Sequence, residues 1–181
     1  MLRSSLSSLL SLSLAVGFST ALRAQSAAPD LSDPEVAHVA VTANSIDIDL
    51  AKLAKSSSGN PDVKQFASTM ITDHSAVNAQ ASALATKLGV TPKDNEVSRS
   101  LLKGATEARA TIEPLKGKHF DRAYIDREVA YHQAVLDALD HLLIPTTENA
   151  ELKQLLVDVR PAFAAHLEHA KKLQGVLVAA K

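Results

Sequence analysis

Three histidines, His74, His132 and His166, stand where packed helices ordinarily carry leucine. In residues 65–84, QFASTMITDHSAVNAQASAL, steps of three, four and seven align Phe66, Met70, Val77, Ala81 and Leu84 on one apolar stripe, with His74 inside it. His132 lies on the face made by Tyr124, Ile125, Val129, Val135, Leu136 and Leu139. Glu128 is one turn before it and Asp121 three turns before, both on that face. His166 is bracketed by Val159, Phe163, Ala170 and Leu173, with His169 on the flank one turn on. Asp47 lies toward the edge of a stripe formed by Val36, Ala40, Ala43, Leu50 and Ala54, while Asp49 points further out.

Burying an imidazole or a carboxylate without a partner costs a few kcal/mol, so each of these groups needs a hydrogen bond, a counter-charge or a metal. Histidines from three helices, with carboxylates from neighbouring faces, form a donor set for a transition metal. Neutral imidazole suits Zn, Cu or Fe, and added carboxylates shift the preference toward Fe or Mn. The expected ligands are His74, His132, His166, Asp47 and Glu128, with His169 and Asp121 as flanking candidates. The competing expectation is a hydrogen-bond network that fixes helix register, pairing His74 with Asp47 or His166 with Glu128. Met70 near His74 raises the Met/His ligation of haem, although methionine at helical spacing is ordinarily core. His38, His119 and His141 are expected to be solvated, and Asp73, Asp126, Glu168, Lys171 and Lys172 to form the wet surface.

The elements that must position these residues are all helical. Alternating strand patterns and Asn-Gly or Asp-Gly hairpin turns are missing. Asp33-Pro34 starts a first helix that runs to about Ser56, and Asn60-Pro61 starts a second that stops at Leu88-Gly89. A shorter polar helix over Glu96–Glu113 bridges to a third long helix from Phe120 to Leu143, ending before Pro145. A fourth begins near Thr147 or Glu148 and continues to the C-terminus, with a kink expected at Pro161. The fold class is all-α: a four-helix bundle with an extra connecting helix between the second and third long helices.

Residues 1–24 read as a secretory signal peptide: Arg3, an apolar run from about Leu9 to Ala21, then small residues with cleavage between 24 and 28. Residues 25–33 then form a flexible leader and 34–181 the helical domain. The mature chain is expected to be exported, to the periplasm with or without outer-membrane association, and to lack a membrane-spanning segment. The absence of cysteine removes disulfides, thiolate metal sites, iron–sulfur clusters and c-type haem attachment. Setting aside Arg3 and Arg23 reduces the 19 basic residues to 17 against 20 acidic, a net charge of −3 with histidine neutral. With no basic stripe and 3% aromatics, nucleic acid is excluded as a partner. A protein partner or a second copy of the chain stays open. No G-x-S-x-G elbow, nucleophilic cysteine or phosphate-binding glycine loop is present, so no catalytic residues are assigned.

The phrases FASTMITDHSAVNAQASALATKLGV, KHFDRAYIDREVAYHQAVLDAL and ELKQLLVDVRPAFAAHLEHAKKLQ occur in order after ANSIDIDLAKLA. Across residues 34–175 the chain resembles an exported bacterial family, domain-of-unknown-function family 4142. In that family's opening helix Glu more often stands at the position of Asp47. The resemblance implies a ferritin-like helical bundle in the periplasm or at the outer membrane, and it assigns no reaction. Di-iron ferritin-like enzymes use Glu-x-x-His from two helices. Here the residues three before the histidines are Ile71, Val129 and Phe163, so a mononuclear His-rich site is expected in place of a di-iron centre. The preferred expectation is a non-enzymatic metal-binding bundle. The alternatives are an envelope-stress interaction module with structural histidines and a small periplasmic metalloenzyme acting on an oxidant.

Overall fold

The helices that open at Pro61, Glu96 and Ala150 begin where an asparagine side chain takes up free backbone N–H groups. The computed structural model describes residues 30–179, so the signal peptide, its cleavage site and most of the leader lie outside the described residues. Helix α1 (Asp33–Ser57) is capped by Ser32 and not by Asp33, with Glu35 accepting from the Ser32 N–H (3.1 Å) and hydroxyl (2.6 Å). Asp33 instead accepts from the N–H groups of Glu148 and Asn149, both at 2.9 Å, and so clasps the start of α1 to the loop before the last helix.

Helix α2 (Pro61–Leu88) starts under the Asn60 side chain and ends at Gly89, whose φ of 63° is the left-handed conformation that glycine tolerates best. Asn95 and Ser98 cap each other at the start of α3 (Glu96–Ile112). Helix α4 (Gly117–Ala138) begins three residues before the expected Phe120. The helical path also does not stop before Pro145. A π-helical turn over Leu139–Leu143 leads into one further turn, α5 (Ile144–Thr146). The wider turn makes room for a ring with no N–H to donate. Thr146 and Thr147 hydroxyls occupy the Leu142 and Leu143 carbonyls there, at 2.7 and 2.6 Å. Helix α6 (Ala150–Ala179) starts after the Asn149 cap, slightly later than expected, and runs unbroken through the exposed Pro161.

Among the described residues the protein is all-α, with no strand. Two antiparallel hairpins, α1–α2 and α4–α6, pack side by side, and α3 runs along the outside of α1 to link them. None of these helices is long and apolar enough to cross a membrane.

The core has two apolar halves. The lower one, at the α1–α2 turn, holds Leu50, Val63, Phe66, Met70, Phe120, Tyr124, Ile125 and Leu173. Met70 is thus core filling. The upper one, where α1 begins, holds Val36, Val39, Leu136, Leu139, Leu152, Leu156 and Phe163. Between these halves each long helix contributes polar residues at the same level: Asn44 and Asp47, then His74, then Glu128 and His132, then His166. Burying them together makes a polar waist across an otherwise apolar interior.

Candidate metal centre

Helical spacing alone brings Asp47, His74, Glu128, His132 and His166 inward, and the two hairpins bring them to one place. All five are buried, Asp47 and Glu128 completely. The rings of His74, His132 and His166 form a nearly equilateral triangle, with centroids 5.6, 5.3 and 5.4 Å apart. One nitrogen from each lies within 4.8 Å of the other two, and Asp47, Glu128 and His132 form a second such triad sharing His132.

Each ring is held from outside by one nitrogen, which leaves the other facing in. The Asn44 amide donates to the Ala40 carbonyl (2.9 Å), which fixes its oxygen as the acceptor for His74 Nδ1 at 2.7 Å. His132 Nδ1 lies 3.0 Å from the Glu128 carbonyl oxygen and donates to it. His166 Nε2 donates to Asp73 at 2.9 Å. The bare atoms are then His74 Nε2, His132 Nε2 and His166 Nδ1, and none of them has a hydrogen-bond partner. Both Asp47 carboxylate oxygens and Glu128 Oε2 are likewise buried without one. His74 Nε2 approaches Asp47 Oδ2 to 2.7 Å, yet the pair lacks the alignment of a hydrogen bond. Metal-ligating histidine characteristically donates its outer N–H to a carboxylate, carbonyl or amide oxygen, and all three rings here do so.

Electrostatics at the waist are unbalanced. Arg127 donates to Glu128 Oε1 at 2.8 Å, stands 3.6 Å from Asp47 Oδ1, and stacks 3.8 Å over the Tyr131 ring. Two carboxylates therefore share one guanidinium. Burial works to raise the Asp47 carboxyl, but His74, His132 and Arg127 outweigh it and hold it below the ordinary range. Burial and the Asp47 charge push Glu128 well above its ordinary value against the pull of Arg127, so it takes up a proton when no cation is present. Burial lowers His132 to about 4 and also lowers His166, so both rings stay neutral. Neutral imidazole is the form that ligates a metal. Tyr124, one turn before Glu128, is also buried with an unpaired hydroxyl, raised first by burial and then by Glu128 and Asp47.

Two flanking candidates do not join the cluster. His169 is exposed on the side of α6, its ring edge-on to Phe66 at 5.2 Å, because one turn rotates it off the bundle axis. Asp121 is buried but accepts from the Ser58 hydroxyl at the α1–α2 turn. His166 pairs with Asp73 and not with Glu128: Asp73 is half exposed, as a surface residue, yet also reaches α6 across the helix boundary. His38 is half-buried, 3.5 Å from the Thr42 hydroxyl, rather than solvated. Sequence reasoning passed over Asn44, Asp73 and Arg127. Asn44 had a signal, lying three residues before Asp47 and so on the same face. Asp73 and Arg127 sit next to a ligand candidate, off the stripe of their own helix, and only the packing of a second helix shows their use.

The donors present fit a metal. Zn–N bonds of about 2.0–2.1 Å place tetrahedral ligand atoms about 3.4 Å apart, and within each triad the ligand atoms lie within 4.8 Å of one another. Three nitrogens with one or two carboxylate oxygens suit Zn, Fe or Mn better than Mg or Ca, which take oxygen shells. No curated protein and no solved structure matches the chain. A family model described as a domain of unknown function (DUF4142) matches residues 19–173, and the protein belongs to that family.

Proposed function

We propose that this is an exported, non-enzymatic helical-bundle protein that binds one transition-metal ion at its waist. His74 Nε2, His132 Nε2 and His166 Nδ1 supply nitrogen ligands, and Asp47 and Glu128 supply oxygen. The observation that carries this reading is the convergence of six buried polar atoms without partners, from five residues on four helices. Buried polar atoms each cost about 1–3 kcal/mol when unpaired, and a cation held by either triad pairs several of them at once. A divalent ion would also displace the proton that Glu128 takes up in its absence, so that both carboxylates face it ionised. The proposed export rests on the reading of residues 1–24 as a signal peptide, and the ferritin-like reading on two hairpins joined by a crossover helix.

Purified without a histidine tag, the protein should carry or take up one equivalent of Zn, Fe, Mn or Cu, measured by elemental analysis and titration. The H74A/H132A/H166A variant should bind none. Failure of the folded wild-type protein to bind any of these ions would leave the histidines as register-fixing hydrogen-bond groups, as the short His74–Asp47 contact and the His166–Asp73 bond permit. Turnover of an oxidant only by the loaded form would replace the binding role with an enzymatic one.

A further inference from the structure

The upper half of the bundle closes differently from the lower. Below the waist, fully buried Phe66, Met70, Phe120 and Tyr124 fill the axis. Above it the helices offer alanine: Ala40 and Ala43 from α1, Ala81 and Ala85 from α2, Ala134 and Ala138 from α4. The space left is a cavity of about 180 Å³ whose inner end is formed by His74 and Phe163. It extends along α2 past Val77 to Leu88, about 17 Å at 1.5 Å per residue. Beyond His74 no residue of α2 is fully buried, so its apolar stripe there faces the cavity without being covered. The π-helical turn of the α4 segment contributes Leu139, Leu142 and Leu143 to the wall, and such turns commonly mark functional sites.

His74 turns its bare Nε2 to Asp47 at the waist, and the other polar groups of this wall are already engaged. Asn44 is held between Ala40 and His74, the Tyr131 hydroxyl donates to the Ala43 carbonyl at 2.8 Å, and Asp33 is taken by backbone N–H groups. The occupant must therefore be hydrocarbon. An apolar cavity of about 150 Å³ stays dry and accepts benzene. A slightly larger volume drawn out along the helix axis is a slot for an extended chain. One slot suits one chain, because a two-tailed lipid leaves its second tail in water. At the outer end Lys87, next in sequence to the lining residue Leu88, pairs with Glu151, next to Leu152, so the rim carries an exposed ammonium that an incoming carboxylate reaches by exchanging with Glu151.

We propose that this cavity binds the tail of a free fatty acid, tail first toward His74, with the carboxylate left at the rim near Lys87. The site does not depend on a metal at the waist, so the test uses metal-free protein. Decanoate, titrated calorimetrically below its micellar concentration, should bind saturably at one equivalent. The A81L/A85L variant fills the slot and should weaken binding by at least about tenfold, since each methylene kept out costs roughly fourfold in affinity. Its melting temperature should not fall. On the unaltered protein, adamantane-carboxylate, a compact cage of similar carbon count, should bind at least about tenfold more weakly than decanoate, which decides the question even if the variant fails to fold. Phospholipid vesicles should not compete. Absence of saturable decanoate binding, equal binding of the cage, or unchanged affinity in a folded A81L/A85L protein would overturn the proposal. So would displacement of decanoate by vesicles, which would assign the slot to a membrane lipid.

Discussion

Asp73 and Asn44 touch no ion themselves; each decides which ring nitrogen of a histidine is left bare. Removing such an outer partner typically costs 10–100-fold in metal affinity. Asp73→Ala should therefore weaken metal binding by about that factor in a chelator competition, with little change in folding, because Asp73 is half exposed. The two carboxylates should respond oppositely in the metal-free protein. Glu128 is held protonated by burial and the Asp47 charge, so at pH 4.5 Glu128→Gln should change stability by less than about 1 kcal/mol in urea unfolding, and at neutral pH it should stabilise. Asp47 is ionised against His74 and Arg127, so Asp47→Asn breaks a buried charge cluster and should cost about 3 kcal/mol.

Acid dependence follows from the same residues. His132 is lowered to about 4 in the folded chain, so between pH 6.5 and 4 the unfolded chain binds a proton that the folded site refuses. Stability from this group is complete above pH 6.5 and is lost as pH falls, by up to roughly 1.4 kcal/mol per unit for one proton. His166 acts in the same direction. Glu128, raised when folded, acts the other way: above the ordinary carboxyl range the folded chain holds the extra proton, and stability falls as pH rises. In Glu128→Gln that opposition is gone, so urea midpoints should climb more steeply from pH 4.5 to 6.5 than in the wild type.

At the scale of elements, the caps carry the boundaries. Gly89 ends α2 in a left-handed conformation, and Gly89→Ala should cost about 1 kcal/mol of unfolding free energy. That boundary and the Asn60-Pro61 start were legible because glycine, proline and the cap residues act locally. So were the inward faces of all four long helices, since the 3.6-residue period alone aligns His74, His132, His166, Asp47 and Glu128 with the apolar stripes. Legibility failed where one helix answers to another. Asp33 resembles a cap by sequence but serves a distant loop, and Asp73 faces α6 although it lies off its own stripe. Pro145 fails for a related reason: a proline stops an α-helix by local rules, and a π-helical turn suspends those rules.

For the whole molecule, a polar waist between two apolar halves makes folding and ligand binding one problem. An ion that binds only the folded chain stabilises it by RT ln(1 + [L]/Kd), about 4 kcal/mol at a thousandfold excess over Kd. For a domain of this size that raises the melting temperature by about 10 °C, reversibly with chelator. The most direct measurement is anomalous diffraction from crystals of the metal-loaded protein at the absorption edge of the bound ion. A single peak within about 2.0–2.2 Å of His74 Nε2, His132 Nε2 and His166 Nδ1 is the expected result. A peak elsewhere on the chain, or none from a fully folded protein under saturating metal, would contradict it.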